Sequence, residues 1–458
     1  PSKILALQMK KEKPGKMSGF SLLYPSFTFS QDKIFSTIEN VKSKKQKSLS
    51  EIKKITKDHI QKLIDDANLK RYCVKDRTTK NWYWAALILL DKEYYYKEAE
   101  ECLNNANRFS SFINNKGELI DREDEDFVEL GASGRHFNEL KELFYNTENY
   151  GLGSMPNNLT DVLTDIALGS PATNFMRTLN HYFPNDDYPN RFVKSLDVAS
   201  QFHSLFDKPE SIAVIQIGTI LNKKRRKANK GAYWRDVLRY CIDGNLQSVL
   251  DEYGHLIYGD NKDIDSFFNR FYNTININTS NVKVDSAESF LNDENKVMRC
   301  HFAVDFGNQD MDNEGGRKRI ANVLDNFNSP FRPFVLASTS IGQEGLDFHY
   351  YCRKIVHWNL PSNPIDFEQR EGRINRFKGL VIRQNVVKKY KETIHENVSD
   401  VWNHLFEIAR KIEGQSENPK PELVPFWHVE GSDINIERIV PVLPYSKEIS
   451  KLKHLLAT

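Results

Sequence analysis

The sequence predicts an α/β lobe joined to a large all-helical module. From about residue 41 to 270, apolar residues recur at spacings of three and four, which is typical of helices. From about 271 to 395, short apolar runs alternate with helical patterns, which indicates a mostly parallel sheet covered by helices. The 458 residues exceed one compact core, so two or three domains are expected.

Composition and cysteine spacing bear on the compartment of the protein but leave its partner open. The 64 basic and 62 acidic residues nearly balance, at a formal charge of +2, so no class of partner is excluded. The five cysteines form no Cys-x-x-Cys pair, which argues for a reducing compartment and against a zinc ribbon. No apolar run approaches the roughly 18 residues of a membrane span, and no signal peptide opens the chain. We therefore expect a cytoplasmic protein with no membrane partner and, since the histidines show no ligand spacing, no metal site.

The helical module follows an N-terminal segment, residues 1–40, in which short apolar pieces alternate with Lys, Gly and Pro. We expect this segment to be extended. Within residues 41–270, one apolar stripe runs from Trp84 to Asp91 and another from Trp234 to Cys241. These stripes predict one or two helical modules.

The α/β lobe is predicted over residues 271–395, with a helix after Gly316. Its predicted strands are 275–277, 282–284, 301–304, 334–337 and 354–358. A ligand site is expected at the carboxyl ends of such strands.

The C-terminal part, residues 396–458, begins with a helix after Asp400. Its predicted apolar stripe consists of Val401, Leu405, Ile408 and Ile412. A proline-punctuated linker, 416–425, leads to an extension, 426–458, that we expect to dock on the lobe.

The stretch between 333 and 379 carries the chemistry. The strand at 334–337 opens into a turn of small polar residues that ends at Asp347, and such a turn lets backbone and hydroxyl donors approach a phosphate or sugar. Further on, Arg373 and Arg376 are three residues apart. On a helix both guanidinium groups would project from one face and could bind a phosphate.

Three pieces in this order, STSIGQEGLD (338–347), NLPSNP (359–364) and QREGRINR (369–376), resemble motifs V and VI of superfamily 2 helicases. The nearest resemblance is to Swi/Snf-like and bacterial RapA-like translocases and to bacterial defence-type helicases. It implies that the α/β lobe is the RecA-like C-terminal lobe of a motor that uses ATP and Mg²⁺. It also implies nucleic acid, expected to be DNA, and an N-terminal motor lobe as partners. Motif IV is not recognisable, so the change of pattern alone sets the start of the lobe.

In motif VI the resemblance makes Arg373 and Arg376 arginine fingers, which stabilise the charge developing on the γ-phosphate. Gln369 matches the residue that opens this motif and couples nucleotide state to lobe closure. The alternative is that both arginines are surface ion-pair partners of Glu368 and Glu371.

In motif V, Thr339 and Ser340 match positions that touch the nucleic-acid backbone. Gly345 and Asp347 match positions on the nucleotide side of the cleft.

A P-loop, Gly-x-x-x-x-Gly-Lys-Ser/Thr, does not occur in the sequence, since Gly15-Lys16 lacks the earlier glycine and precedes Met17. The acidic run 124–126 lies in a hydrophilic stretch and is interpreted as solvated surface. Because the chain opens on Pro1, we expect it to be a fragment of a longer protein whose other lobe binds ATP. This chain by itself should not hydrolyse ATP appreciably.

A basic cluster without acids lies between Asn222 and Arg235. Its members are Lys223, Lys224, Arg225, Arg226, Lys227, Lys230 and Arg235. They could neutralise phosphates, and Tyr233 and Trp234 could stack on bases. The alternative is a solvated surface whose aromatic side chains turn into the core.

Two functional hypotheses remain at this point. The first is the C-terminal half of an ATP-dependent nucleic-acid helicase or translocase. The second is a non-enzymatic DNA- or protein-binding scaffold derived from such a lobe.

Overall fold

The chain divides into two units, Pro1–Tyr272 and Asn273–Thr458, in the computed structural model. The structure describes residues 18–31, 48–78, 81–109, 132–221, 233–259, 262–275, 280–284, 296–300, 323–331, 333–337, 347–394, 400–415, 421–431, 433–442 and 445–457. The four-part division predicted from the sequence is finer than these two units and stays a prediction.

Helices form most of the described residues up to 275, as the apolar spacing predicts. They are α1 (Phe27–Ser30), α2 (Leu49–Asp66), α3 (Trp82–Tyr94), α4 (Tyr96–Phe109), α5 (Ala132–Tyr145), α6 (Thr147–Tyr150), α7 (Leu159–Gly169), α8 (Pro171–Tyr182), α9 (Tyr188–Phe206), α10 (Pro209–Leu221), α11 (Tyr233–Asp243), α12 (Leu246–Tyr258) and α13 (Ile264–Ile275). Single turns of 3-10 helix lie at Ser18–Leu22 and Leu69–Tyr72.

The helical module also contains a small parallel sheet, so it is not strictly all-helical. Strand β1 (Cys73–Thr78) pairs in parallel with β2 (Leu152–Ser154). The sequence did not predict this pair because strands this short show too little alternation to be recognised.

Close helix packing fills the core of the first unit. Every residue of α8 is buried or half-buried, and most of α9 is buried. Helix α7 ends at Gly169, where an added Cβ would lie 2.6 Å from the Leu238 carbonyl oxygen of α11. A glycine is therefore required for α7 and α11 to approach this closely.

Residues 18–31 lie in the core of the first unit. Their aromatic side chains are buried, and the carboxylate of Asp91 on α3 holds the segment in place. Four groups donate hydrogen bonds of 2.7–3.0 Å to this carboxylate: the Tyr24 and Ser26 hydroxyls and the N–H groups of Phe27 and Thr28. Our prediction of an extended segment is wrong over residues 18–31, because burial of its apolar side chains favours compact turns.

The described part of the second unit contains both strands and helices, but they do not strictly alternate. Its elements are β3 (Ser280–Val284), β4 (Lys296–Cys300), β5 (Lys354–Val356), α14 (Pro364–Gly372), α15 (Leu380–Tyr390), α16 (Val401–Gly414), β6 (Glu437–Ile439) and α17 (Glu448–Ala457). A 3-10 turn, Lys391–Thr393, follows α15. Strands β3 and β4 pair antiparallel, whereas β5 and β6 pair in parallel. The described part of the chain thus has small parallel sheets among many helices.

Two of the predicted strands are recovered, at 282–284 within β3 and at 354–356 within β5. Residue 275 instead ends α13, and 276–277 and 301–304 lie outside the described residues. Residues 334–337 are not assigned to a strand, and the Phe334 side chain is 76% exposed. Local sequence favours a strand here, but a strand also needs a hydrogen-bonded neighbour.

The C-terminal helix begins where predicted, with the Asp400 side chain accepting from the Asn403 N–H at 2.9 Å. Its predicted stripe is displaced: Val401 and Ile412 are exposed, and the buried face runs through Leu405, Phe406, Ala409 and Glu413. Phe406 and Ala409 face α15 and so decide the rotation of the helix. The extension beyond residue 426 docks on the unit through β6 and α17, as expected.

Candidate active site

Helix α14 carries the first part of the 369–376 run. Pro364 opens the helix with a suitable φ, and the Asn363 side chain caps it by accepting a backbone N–H at 2.7 Å. The helix ends at Gly372, and Arg373 is its C-cap. Arg376 therefore lies beyond the helix. Our prediction that Arg373 and Arg376 project from one helical face is wrong, since a turn joins them.

Burial of Ile374 explains why the helix stops. Its side chain is buried in a cluster with Phe327 and Phe348. The N–H groups of Ile374 and Asn375 both donate to the Glu371 carbonyl oxygen, at 3.1 and 3.2 Å. The chain leaves the helix to bury this apolar side chain, and the arginines are placed on either side of it.

Arg376 contacts Asp347, which the sequence also assigned to the site. The Arg376 Nε donates to Asp347 Oδ1 at 3.1 Å, and the side chains are 36% and 48% exposed. The main chain also joins the two segments, because the Phe348 N–H donates to the Arg373 carbonyl oxygen at 2.9 Å. The end of the motif V segment and the arginine turn thus form one surface that solvent can reach.

Arg373 is half-buried beside this contact. Its Nε is buried and has no hydrogen-bond partner in the part of the chain that the structure describes. Burial of an unpaired donor costs free energy.

Glu371 pairs with residues outside the arginine run. Its carboxylate accepts two hydrogen bonds from Arg438 and lies 3.2 Å from His357 Nε2. The alternative in which Arg373 and Arg376 are ion-pair partners of Glu368 and Glu371 is not found among the ion pairs of the described residues. Arg376 instead pairs with Asp347.

His349 lies at the same site and is uncharged at neutral pH. Burial lowers the pKa of His349 to about 4, the Asp347 carboxylate opposes this, and the charges of Arg383 and Arg376 add to the decrease. The cationic character of the site consequently comes from its arginines.

The match to a known domain coincides with this surface. Residues 269–378 match the helicase conserved C-terminal domain. No curated protein and no solved structure matches the chain. The match includes Asp347 and the whole arginine turn, and it supports a helicase C-terminal lobe.

Several predicted site residues of the helicase C-terminal lobe lie outside the described residues, namely Thr339, Ser340 and Gly345. Gln369 is described and lies exposed on α14. The structure therefore brings together Asp347, Arg373 and Arg376, and it leaves Gln369 open to solvent one turn earlier.

The basic cluster that precedes the helicase lobe is also largely outside the described residues, including Lys223, Lys224, Arg225 and Arg226. The neighbouring aromatic residues are described and buried. The Tyr233 hydroxyl donates to the Phe206 carbonyl oxygen at 2.8 Å, and the Trp234 ring packs near Tyr83. Of the two alternatives for Tyr233 and Trp234, the structure contains the one in which both rings turn into the core and do not stack on bases.

Sequence reasoning missed two residues that shape the site of the helicase lobe. The Asn328 Nδ2 donates to the Asp347 carbonyl oxygen at 2.7 Å and fixes the backbone there. Arg438 binds Glu371 at the start of the arginine turn. Neither had a signal in the sequence, since both act through contacts distant along the chain.

The described ranges offer no candidate for a metal site or a membrane span. These ranges contain no group of three His, Cys, Asp or Glu side chains placed to hold a metal ion. None of their helices combines the length and apolarity that crossing a membrane requires.

Proposed function

We propose that this chain supplies the RecA-like C-terminal lobe of an ATP-dependent superfamily 2 helicase or translocase of the Swi/Snf-like or RapA-like type. The observation that carries this proposal is the contact between Arg376 and Asp347 on a solvent-accessible surface within the matched helicase domain. A scaffold would have no need of an exposed arginine turn held in this way.

Arg373 and Arg376 act as arginine fingers in this proposal. Guanidinium groups fit an anionic phosphate and not a cation, so they would contact the γ-phosphate of ATP, while Mg²⁺ would be held mainly by a partner lobe that carries a P-loop. Asp347 orients Arg376 by accepting a hydrogen bond from the Arg376 Nε. Gln369 would couple nucleotide state to lobe closure, and Gly345 would line the nucleotide side of the cleft.

The nucleic-acid track, proposed to be DNA, would contact Thr339 and Ser340 and the basic residues Lys223, Lys224, Arg225 and Arg226. Resemblance also suggests a role in bacterial genome defence, an analogy at the level of the family.

The test is nucleic-acid-stimulated ATP hydrolysis by the complete motor, with this chain and its P-loop lobe together. Arg376→Ala should lower kcat by about 10³-fold or more, because the charge of the transition state loses its partner. Affinity for DNA should change little, since the residue faces the nucleotide.

Arg410→Ala is the matched control, because Arg410 is an exposed arginine on α16 outside the matched domain. It should leave kcat unchanged. Normal turnover in the Arg376 variant would show that Arg376 takes no part in the reaction, and it would favour the scaffold hypothesis.

A further inference from the structure

Strand β6 comes from beyond the matched domain and adds to β5 inside it. The pairing is parallel, with Lys354 opposite Glu437, Ile355 opposite Arg438 and Val356 opposite Ile439. Since alternate residues of a strand share a face, Arg438 and Glu437 point to opposite sides of this sheet. Only the Arg438 side faces α14.

Arg438 binds Glu371 of α14 with both ends of its guanidinium group. Nε donates to Oε1 at 2.5 Å and Nη2 donates to Oε2 at 2.6 Å. The guanidinium carbon also lies 4.6 Å from the centre of the Phe367 ring, one turn earlier on the helix. Such two-point binding fixes orientation as well as distance.

His357 holds the same glutamate from the end of β5. It is 2% exposed, its Nε2 lies 3.2 Å from Glu371 Oε1, and its ring lies 4.5 Å from Phe367. Since an ionised carboxylate can only accept, the ring nitrogen is the donor. We call His357, Phe367, Glu371 and Arg438 the Glu371 cluster.

Glu371 remains ionised at neutral pH within this cluster. Burial acts to raise the pKa of Glu371, but the hydrogen bonds and charge of Arg438, with a smaller contribution from His357, outweigh burial and hold it below its usual value. The side chain therefore keeps both of its oxygens available to Arg438.

The main chain of Glu371 begins the turn that carries the arginines. Its carbonyl oxygen accepts from the N–H groups of Ile374 and Asn375. Glu371 is thus fixed at its side chain by β6 and fixes the arginine turn through its backbone.

We propose that Arg438 is a positioning residue for Arg373 and Arg376, acting through Glu371 on the turn at the end of α14. This inference rests on the proposed function. The C-terminal extension is then part of the nucleotide-responsive site, although it lies outside the matched domain.

Loss of Arg438 should leave α14 docked, because α17 holds the helix separately. Leu455 packs with Leu360 and Phe367, and the Lys451 Nζ donates to the Leu360 carbonyl oxygen at 2.6 Å. A variant at 438 therefore tests orientation of the turn and not the attachment of the helix.

The experiment compares Arg438→Gln with Glu437→Gln in the complete motor. Arg438→Gln should lower kcat for ATP about 10- to 100-fold with little change in KM, because a small displacement of a catalytic group is costly. Arg438→Lys should recover part of the loss by restoring the charge. Glu437, the neighbour of Arg438 on β6, is the matched control: it pairs with Lys354 of β5 and with Arg353 just before it, and its variant should keep kcat.

Hydrogen exchange on this chain gives a second readout that needs no ATP. In Arg438→Gln, the amides of residues 371–376 should exchange faster, and in Glu437→Gln they should not. An equal loss of kcat in both variants would show that strand docking alone matters and would overturn the inference. Faster exchange with unchanged kcat would overturn it too.

Failure of the proposed function is distinguishable from failure of this inference. If Arg376→Ala leaves turnover normal, the arginine-finger role fails for any outcome at 438. If Arg376→Ala abolishes turnover while Arg438→Gln changes neither kcat nor exchange, only the positioning role fails.

Discussion

At the residue scale, the Asp347 carboxylate interacts with two neighbouring side chains, Arg376 and His349. Its carboxylate accepts from Arg376, and its charge opposes the decrease in the pKa of His349 that burial causes. Because His349 stays neutral, a phosphate at this surface would meet the arginines without a third cation. The relevant property of the site is the balance among these three side chains.

His349 gives a prediction about acid stability. Its pKa in the folded protein is about 4, whereas an unperturbed histidine titrates near 6.5, so between these values the unfolded chain binds the proton and the folded chain does not. The free energy of unfolding should therefore fall as pH decreases from about 6.5 towards 4. In His349→Gln, urea unfolding at pH 7 and pH 5 should show a smaller decrease.

The exposed His428 provides the control for this measurement. His428→Gln should keep the pH dependence of the original protein. An equally steep decrease in His349→Gln would assign the effect to other groups.

At the scale of elements, burial of apolar side chains determines the path of two segments, and a few hydrogen bonds hold each of them. Segment 18–31 packs on α3, and Asp91 satisfies four donors that would otherwise be buried without partners. In the second unit, α14 ends where Ile374 enters the core. In both cases burial decides the path of the chain and hydrogen bonds decide its details.

Asp91→Ala should destabilise the first unit by about 3 kcal/mol or more, because it removes the acceptor from buried donors. Asp58→Ala on the exposed side of α2 is the control and should change the free energy of unfolding by less than about 0.5 kcal/mol. Urea unfolding followed by circular dichroism measures both. Similar midpoints in the two variants would mean that the segment is held by its apolar side chains alone.

At the scale of the whole molecule, the residues proposed to bind nucleic acid come from both units. The arginine turn and the motif V residues belong to the second unit, and the basic cluster at 223–226 belongs to the first.

Reversing the charge of Lys223, Lys224, Arg225 and Arg226 to Glu should weaken DNA binding and flatten its salt dependence, by up to about 0.9 in the log–log slope for each phosphate that is no longer neutralised. Fluorescence anisotropy with labelled DNA at several salt concentrations measures this. The control reverses Lys54 and Lys62, lysines of α2 in the helical module. Equal binding by the cluster variant and the original protein would show that the basic cluster does not contribute to DNA binding.

Local patterns were sufficient for much of this protein. The spacing of apolar residues determined that residues 41–270 are mainly helical, and the order of three short pieces identified the helicase C-terminal lobe with Asp347, Arg373 and Arg376 in it. These features depend on residues that are close together in the sequence, so the sequence is sufficient to predict them.

Tertiary packing decided the rest. It ended α14 at Gly372, turned Tyr233 and Trp234 inward, rotated α16, buried segment 18–31 and brought Arg438 to Glu371. Each outcome depends on which distant surface is available to bury an apolar side chain or pair a charge. The sequence by itself determined which side chains could do the chemistry, and only the folded structure determined how they are held.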